Sequence, residues 1–420
     1  MRRRSLGLGG VCGGLVLAAW SWAGVATAGS FITYQNSPVP RILELTRDGQ
    51  AWMGDRTDPG TGTYEVGVWN HGAFEAFTDG FGGGPISDDG RQVVGSIVTV
   101  DWSTWPPLFT WTGYLWNNGV LIPLASAGED VVYPTDISGN GQVLVGTLTL
   151  TGQPARQAFR MEGGVKTLLG MLPGDDSSFG QFVTGDGGVV AAESYNSLTG
   201  NKRVFLWSNG VTTELPDLPG ANPYSGADDD ATILALSDDG TTVAGLGSGP
   251  QGWRFVRWVN GQLEVLWHTR EDWAGIRSGI STDGTIISAE LNGVSTIWRD
   301  GLGIKSFERY ASYHHDLDLG LNPGDFLEVT SMTPDARFFG GAVYDSIWNA
   351  QANFLVYLDP ADYFVPESSS LGLALMAAAG LVWSARRNRG SRRGSWEPPG
   401  QSRNEPGIRP AVPILHATRS

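Results

Sequence analysis

Few side chains in this sequence have the types and spacing that catalysis or metal binding requires. The densest group of metal-ligand types is the segment YHHDLD at 313–318, but adjacent residues on an extended strand point to opposite faces. Acidic runs at 175–176 and 228–230 offer oxygen atoms to Ca²⁺ without the spacing of a known calcium loop. Solvated acidic loops are the favoured interpretation of all three segments. The sequence therefore predicts no catalytic residue, no metal ligand and no cofactor.

Two tryptophans are candidates for ligand contact. Trp102 and Trp105 lie in DWSTWPPLF, a polar and proline-rich segment without an equivalent elsewhere in the chain. Indole rings on a loop of this kind can stack on sugar rings or on the surface of a partner. The favoured interpretation, however, is that both rings pack down on a neighbouring blade.

A repeat predicts the elements that would position these residues. A serine or threonine, followed two residues later by a turn of Asp, Asn or Gly and then by an apolar run, occurs seven times, as in ISDDGRQVVG and LSDDGTTVAG. The seven Ser/Thr positions are Thr46, Ser87, Ser138, Thr184, Ser237, Ser281 and Thr333. The steps between copies are 41 to 53 residues, within or just above the period of propellers and other repeat architectures. One repeated unit therefore accounts for most of the chain.

Each unit predicts a small antiparallel sheet. Most units contain an aromatic strand that ends near Asn-Gly or Asp-Gly, as in LWNNG, and two apolar runs joined by such a pair form a hairpin. Helix is disfavoured because 60 of the 420 residues are glycine and no helical apolar period is sustained. Sheets of about four strands bury both faces when they repeat radially around a channel. The sequence therefore predicts an all-β, seven-bladed β-propeller at 29–362.

Recurring tryptophans in the aromatic strand are predicted to pack the blades against each other, because a large ring at one place of the unit buries much apolar area. These residues are Trp69, Trp116, Trp207, Trp258 and Trp298. The third unit reads FRMEGG, and we place Arg160 at the position of the tryptophan there.

The two ends of the repeat region are predicted to complete each other. The seventh copy stops after its aromatic strand, and the segment FITYQNSPVPRILEL at 31–45 has no unit of its own. We therefore expect residues 31–45 to pair into the seventh blade and close the ring.

The repeat resembles a known group of extracellular proteins. The pattern I-S-x-D-G-x-x-V-x-G, followed by an aromatic strand near W-x-x-G and a leucine-rich strand, is similar to the HAF repeats and more loosely to the S-x-D-G units of TolB-type propellers. The likeness covers roughly 31–360, and two units depart from it, with Arg160 in the third and PDAR in the seventh. It implies a propeller-like fold but no particular activity, since propellers host many unrelated functions.

The amino-terminal segment 1–28 has the form of a signal peptide. Arginines at 2–4 precede an apolar run, and the Ala-Thr-Ala sequence that ends at Ala28 matches the small-x-small pattern for cleavage. Cys12 is the single cysteine of the chain. We therefore expect an exported protein that contains no cysteine after cleavage and does not rely on disulfide bonds.

The carboxy-terminal segment 363–389 has three parts. A Pro366-Glu367 motif is followed by an apolar stretch at 369–385, which is predicted to span a membrane. Arginines then hold the end of this span on the cytoplasmic side; they are Arg386, Arg387 and Arg389. This order resembles the PEP-CTERM sorting signal of Gram-negative bacteria, which exosortase enzymes recognise and process.

The resemblance to the sorting signal implies a fate for the protein. It implies transient anchoring in the inner membrane, cleavage by an exosortase-type enzyme near the Pro-Glu motif, and transfer to the cell surface or the medium. The motif reads Pro-Glu-Ser rather than Pro-Glu-Pro, and a basic, proline-rich tail at 390–420, predicted to be disordered, follows it. The alternative is a plain carboxy-terminal anchor without processing.

The charge of the chain argues against one class of partner. The formal net charge is −15, and residues 29–385 hold 17 Lys and Arg against 41 Asp and Glu. So acidic a body repels nucleic acid and anionic lipid surfaces. We therefore expect no nucleic-acid binding.

Two function classes remain from the sequence. The favoured one is an exported, non-enzymatic propeller of the cell envelope or the extracellular matrix, with extracellular polysaccharide as its partner. The alternative is an extracellular glycan-active hydrolase or lyase with its site at the mouth of the propeller channel. An enzyme of that kind needs paired carboxylates, or a base with a nucleophile, converging at one channel mouth.

Overall fold

The computed structural model describes residues 30–35, 41–58, 60–70, 73–77, 81–217, 232–247, 254–268, 274–291, 293–315, 317–346 and 350–358. All of them belong to one unit, which ends at Phe364. The predicted signal peptide at 1–28, the sorting signal at 363–389 and the tail lie outside these ranges. No helix within the described ranges has the length and apolarity needed to cross a membrane.

The described strands form seven antiparallel sheets of four strands each. The first strand in the chain, β1 (Ser30–Gln35), belongs to the last sheet. Blade 1 contains β2 (Arg41–Leu45), β3 (Ala51–Thr57), β4 (Tyr64–Asn70) and β5 (Ala73–Ala76); blade 2 contains β6 (Phe81–Ile86), β7 (Gln92–Asp101), β8 (Leu108–Asn117) and β9 (Val120–Pro123). Blade 3 contains β10 (Glu129–Ile137), β11 (Val143–Leu150), β12 (Arg156–Glu162) and β13 (Val165–Leu168); blade 4 contains β14 (Ser177–Val183), β15 (Val189–Asn196), β16 (Asn201–Ser208) and β17 (Val211–Glu214).

The remaining blades follow the same order. Blade 5 contains β18 (Thr232–Leu236), β19 (Thr242–Gly247), β20 (Arg254–Val259) and β21 (Gln262–His268); blade 6 contains β22 (Ala274–Ile280), β23 (Ile286–Leu291), β24 (Val294–Arg299) and β25 (Gly303–Ser306). Blade 7 contains β26 (Phe326–Met332), β27 (Phe338–Tyr344) and β28 (Ala350–Tyr357), with β1 as its outermost strand. The first strand of each blade contacts the first strand of the next, and β26 contacts β2. These contacts form a closed ring, which confirms the predicted seven-bladed β-propeller.

The repeated Ser/Thr turn joins the first and second strands of each blade. In blade 5 the Ser237 hydroxyl donates to Asp239 Oδ1 at 2.7 Å and accepts the Thr242 backbone N–H at 2.9 Å. The intervening Gly240 has φ of 70°, a conformation that glycine adopts without a steric cost. Gly90 and Gly141 hold φ of 68° and 70° in the equivalent turns. The aspartates of these turns therefore have a structural role.

The tryptophan position of blade 3 differs from our expectation. In the five blades that have the tryptophan, the sixth residue after the Ser/Thr pairs with it, as Val93 pairs with Trp116. In blade 3 the sixth residue is Leu144, and its partner is Met161. The assignment of Arg160 to this position is therefore wrong by one residue, because the double glycine that ends FRMEGG allows two alignments with the W-x-x-G pattern.

The ends of the ring meet in blade 7, as predicted, but over a shorter segment. Strand β1 pairs antiparallel with β28 from Ser30↔Tyr357 to Gln35↔Ala352. Residues 41–45 do not join this blade, since they form β2, the first strand of blade 1. The expectation for 31–45 is thus wrong for its second half, because the residues directly before a Ser/Thr turn are the first strand of that turn's own blade.

Side chains of the first strands form hydrogen bonds between neighbouring blades. Between blades 7 and 1, the Thr330 hydroxyl donates to the Ile42 carbonyl at 2.7 Å, and Ser331 Oγ accepts the Leu45 N–H at 3.0 Å. Between blades 3 and 4 the equivalent bonds come from Thr135, which donates to a carbonyl at 2.8 Å, and from Asp136 Oδ2, which accepts an N–H at 2.7 Å. The junction that closes the ring therefore uses the same bonds as a junction inside the repeat.

One helix, α1 (Phe307–His315), interrupts the all-β pattern between blades 6 and 7. Phe307, Tyr310 and Ala311 pack into the core of blade 7, and His314 and His315 are also buried. The expectation of a solvated loop at 313–318 is therefore wrong for its first residues. Within the described ranges, no group of three or more His, Cys, Asp or Glu side chains has the geometry of a metal site.

Candidate functional site

The propeller has two faces that differ in their connections. Because successive strands are antiparallel, the Ser/Thr turns and the hairpin turns between third and fourth strands share one face, which we call the turn face. The loops between second and third strands, and the connections between blades, lie on the other, which we call the loop face. Each face carries one candidate functional region.

On the loop face, the hairpin of β7 and β8 is the longest of the described hairpins. Its strands have ten residues each and pair from Gln92↔Asn117 to Asp101↔Leu108. Trp102 and Trp105 lie at its tip with 75% and 92% of their surface exposed. Both predicted contact residues are therefore open to solvent, and neither packs onto a neighbouring blade.

Further exposed aromatic residues extend the surface of this hairpin. Phe109 and Trp111 follow the tip on β8, two residues apart and thus on one face of the strand, and both are exposed. Tyr133 of blade 3 meets Trp111 edge-on, with ring centroids 6.2 Å apart. We call these five aromatic residues the hairpin surface. Contiguous exposed apolar area of this kind marks binding sites in soluble proteins.

The tip of the hairpin is held by polar bonds. The Ser103 N–H donates to Asp101 Oδ1 at 2.8 Å, and the Thr104 hydroxyl donates to the Pro106 carbonyl at 3.0 Å. Hydrogen bonds from the Ser103 hydroxyl and amide lower the pKa of Asp101 below its usual range. The hairpin surface therefore has a negative charge at its edge at neutral pH.

On the turn face, the second residue of each Ser/Thr turn contributes to the mouth of the channel. These residues are Arg47, Asp88, Gly139, Gly185, Asp238, Thr282 and Pro334. Arg47 Nε lies 2.9 Å from Asp88 Oδ1 of blade 2, and its Nη1 contacts Asp238 Oδ2 of blade 5. A single side chain of blade 1 thus reaches across the ring.

The neighbouring turns are built around this arginine. A Cβ atom at Gly185 would overlap the Arg47 guanidinium, so the close approach of the guanidinium requires glycine there. Asp238 Oδ1 also accepts the Gly185 N–H at 2.7 Å, and the Asp88 N–H donates to the Gly139 carbonyl at 2.8 Å. These bonds link blades 2 to 3 and 4 to 5, and with Arg47 they form a polar network at the turn-face mouth.

Asp136 is a further carboxylate within the influence of Arg47. Its Oδ2 accepts the Val183 N–H at 2.7 Å and its Oδ1 accepts the Ile137 N–H at 2.8 Å. Burial raises the pKa of Asp136 to about 7, an effect that these two amides and the Arg47 charge only partly offset. Burial also raises the pKa of Asp88, again against the charge of Arg47.

The chemistry available at the turn-face mouth is limited. Asp88 and Asp238 are both paired with Arg47, and Asp136 accepts two backbone amides. Ion pairing with Arg47 keeps Asp88 and Asp238 from acting as free carboxylates, and both oxygens of the buried Asp136 are bonded to backbone amides rather than directed at a substrate. Sequence reasoning missed this cluster. The signal that could have found it is the variable residue of S-x-D-G, which faces the channel mouth once the turns are arranged in a ring.

The other acidic segments separate into two cases. Asp175 is paired with Arg203, with Oδ2 2.8 Å from Nη2, and Asp176 accepts hydrogen bonds from the Ser197 hydroxyl and amide. These pairings account for the acidic run at 175–176 without a cation. The run at 228–230 lies outside the described residues.

Comparison with known proteins gives similarity in fold alone. No family model matches the sequence, and no curated protein matches it. TolB from Acinetobacter baumannii matches 74% of this chain at 12% identity with a TM-score of 0.36, and the chain spans 65% of that protein. The β-propeller domain of the trilobed protease from Pyrococcus furiosus matches 80% of this chain and 98% of its own length, at 9% identity and a TM-score of 0.47. A prolyl endopeptidase matches 80% of this chain over 48% of its own length, at 15% identity and a TM-score of 0.49.

Proposed function

We propose that this protein is an exported, non-catalytic propeller that binds extracellular polysaccharide through the hairpin surface. The observation that carries the proposal is the exposure of Trp102 and Trp105 at the end of an ordered hairpin. Indole rings are large and apolar, and leaving two of them in water is unfavourable unless a ligand covers them. Sugar rings present apolar C–H faces that stack on such rings.

The charge of the protein favours a neutral polysaccharide. Asp101 is ionised beside the rings, and the exported body is strongly acidic. An anionic chain would be repelled during approach and at the tip. Carboxylate oxygens accept hydrogen bonds from sugar hydroxyls, so Asp101 adds a polar contact to the stacking surface.

The alternative function, a glycan-active hydrolase or lyase, has less support at the turn-face mouth of the channel. A hydrolase or lyase would use carboxylates free to act as acid and base, whereas Asp88 and Asp238 share the Arg47 guanidinium. This pairing supports a structural role for the turn-face mouth. The loop face, which carries the aromatic hairpin, is the preferred binding side.

Replacing Trp102 and Trp105 together by alanine should weaken binding to neutral polysaccharide at least tenfold, because each ring loses its stacking contact, worth about 1 kcal/mol. The measurement is a glycan array followed by affinity electrophoresis. The matched control is Leu198→Ala, which removes a 94%-exposed apolar side chain from the equivalent loop of blade 4 and should leave binding unchanged. Binding that survives the double substitution would contradict the proposal.

We also propose that the carboxy-terminal segment anchors the protein through 369–385 before cleavage near Pro366 and Glu367. Replacing these two residues by alanine should leave uncleaved protein in the membrane fraction. Neutral residues at Arg386, Arg387 and Arg389 should weaken retention, because these charges hold the span in place. Mass spectrometry of the native protein decides the matter: a carboxy terminus at Ser420 on the mature protein would argue for a plain anchor.

A further inference from the structure

A slot for an indole ring recurs between the blades of this propeller. In five blades the third-strand tryptophan packs toward the preceding blade: Trp116 lies 5.1 Å from Phe77 between ring centroids, and Trp258 is fully buried with its Nε1 donating to the Pro216 carbonyl at 2.8 Å. The five residues are Trp69, Trp116, Trp207, Trp258 and Trp298. The slot is thus a property of the repeat.

Two repeat positions form the walls of each slot. One is the residue that precedes the tryptophan in the neighbouring blade, and the other is the sixth residue after the Ser/Thr of the same blade. Between blades 4 and 5 these walls are Leu206 and Val243, and both pack in one cluster with Trp258. Between blades 5 and 6 the first wall is Arg257, whose guanidinium carbon lies 4.4 Å from the Trp298 ring centroid.

The slot between blades 2 and 3 has the same walls but no indole ring. Its walls are Leu115 and Leu144, and Met161 stands at the tryptophan position. A pocket of about 390 Å³, half open to solvent, lies there and is lined by Leu115, Leu144 and Met161 with the turn residues 141–142 and 162–164. A thioether chain is slimmer than an indole ring, so Met161 leaves part of the slot unfilled that an indole ring would occupy.

The lining of the cavity defines the chemistry of a fitting ligand. Its inner wall is apolar, while Gln142 and Glu162 lie at its exposed rim. Glu162 Oε2 is bonded to Arg160 Nη1 at 2.7 Å, and a carboxylate retains further acceptor sites. The volume falls within the range of small-molecule sites. A flat ring with one N–H donor directed to the rim satisfies both the apolar wall and the acidic edge.

We propose that the cavity between blades 2 and 3 is a binding site for a small bicyclic aromatic molecule of the indole class. The protein holds indole rings of its own chain in five equivalent slots. The slot between blades 2 and 3 has apolar residues, Leu115 and Leu144, at the same two wall positions. The apolar wall of this pocket would bury one face of a matching ring and leave its edge at the polar rim. The site lies on the turn face and is independent of the hairpin surface.

Indole itself is the probe, titrated into the full chain by calorimetry and by ligand-observed NMR. We expect binding with a Kd on the order of 10 to 1000 μM, in line with the small number of ligand atoms. Met161→Trp should fill the slot, weaken indole binding at least tenfold and raise the melting temperature by about 2 °C. Met161→Leu, which conserves the volume, is the matched control and should keep indole binding.

Three results would overturn the proposal. They are no indole binding to the wild-type protein, equal binding by Met161→Trp, and a lower melting temperature of that variant, which would indicate that the slot has no room for the ring. Leu115→Trp fills the cavity from the opposite wall and serves as the second variant should Met161→Trp fail to fold. Its binding of indole as tightly as the wild type would equally refute the site.

Discussion

Deleting residues 30–35 should unfold the propeller cooperatively instead of loosening one blade. Strand β1 is the outermost strand of blade 7, and its loss leaves the edge of β28 unpaired along six register positions. At about 0.5 to 1.5 kcal/mol for each hydrogen bond, the loss is roughly 3 to 9 kcal/mol, which approaches the whole stability of a typical domain. Circular dichroism and calorimetric melts of the deletion variant measure the effect.

A circular permutant provides the matched control. Ser30 lies opposite Tyr357 in an antiparallel pair, so a short Asn-Gly linker can join these ends as a hairpin. The new amino terminus would then lie at Arg41, where β2 begins. We expect this permutant to melt close to the wild type because it keeps every strand. A deletion variant that melts unchanged would show that β1 does not close the ring in solution.

The seven-bladed architecture was predictable because one local pattern repeats. The Ser/Thr turn is defined by short-range bonds, such as those from Ser237 to Asp239 and Thr242, and its spacing gives the number of blades. Local turn chemistry of this kind can be derived from sequence without knowledge of distant contacts. The insertion that contains Trp102 and Trp105 was also predictable because it has no repeat equivalent, but the exposure of the two rings was not, since it depends on contacts with the neighbouring blades.

Three features of the structure were not predictable by the same reasoning. The register at Met161 was missed because Gly163 and Gly164 both have positive φ and either could end the W-x-x-G pattern. Helix α1 was missed although Phe307, Tyr310 and Ala311 have helical spacing, since a short helix is inconspicuous among the 28 strands of the described residues. The variable residue of each turn places Arg47 at the channel mouth, but its pairing with Asp88 and Asp238 depends on contacts between blades 1, 2 and 5, which the repeat pattern does not specify.

The second large effect is expected at Asp136, whose carboxyl group titrates with a pKa near 7 in the folded protein against an ordinary value of 3.8. Below about pH 4 the group is protonated in both the folded and the unfolded state, so its burial has no electrostatic cost to the stability of the fold. As the pH rises toward 7 the unfolded chain ionises and the folded chain does not, so the free energy of unfolding falls. A rise in pKa from 3.8 to about 7 corresponds to about 4 kcal/mol at most, and we expect the free energy of unfolding to fall by about 2 to 4 kcal/mol as the pH rises.

Asp136→Asn should remove this pH dependence. The amide oxygen still accepts the Val183 N–H, and Ser331 shows that a neutral side chain accepts the equivalent bond between blades 7 and 1. One bond, to the Ile137 N–H, is lost, and this loss offsets the electrostatic cost that the wild type already bears at pH 5, so the two proteins should have similar stability there. At pH 8 it should be the more stable protein, because the wild type then bears the full cost of a buried charge. Denaturant unfolding at pH 5 and pH 8 measures the difference in free energy of unfolding between the variant and the wild type, and how this difference changes with pH.

Asp186→Asn is the matched control for the pH series. Asp186 is a turn carboxylate of blade 4 whose pKa is lowered, chiefly by a hydrogen bond from the Thr184 hydroxyl and also by the Gly188 amide. Its stabilising effect is present above the ordinary pKa of an aspartate and is lost only as the pH falls through the lowered value. The difference between Asp186→Asn and the wild type should therefore be the same at pH 5 and pH 8. If the Asp136→Asn difference is equally constant, the carboxyl group of Asp136 titrates normally, and its burial between blades 3 and 4 imposes no electrostatic cost on the ring.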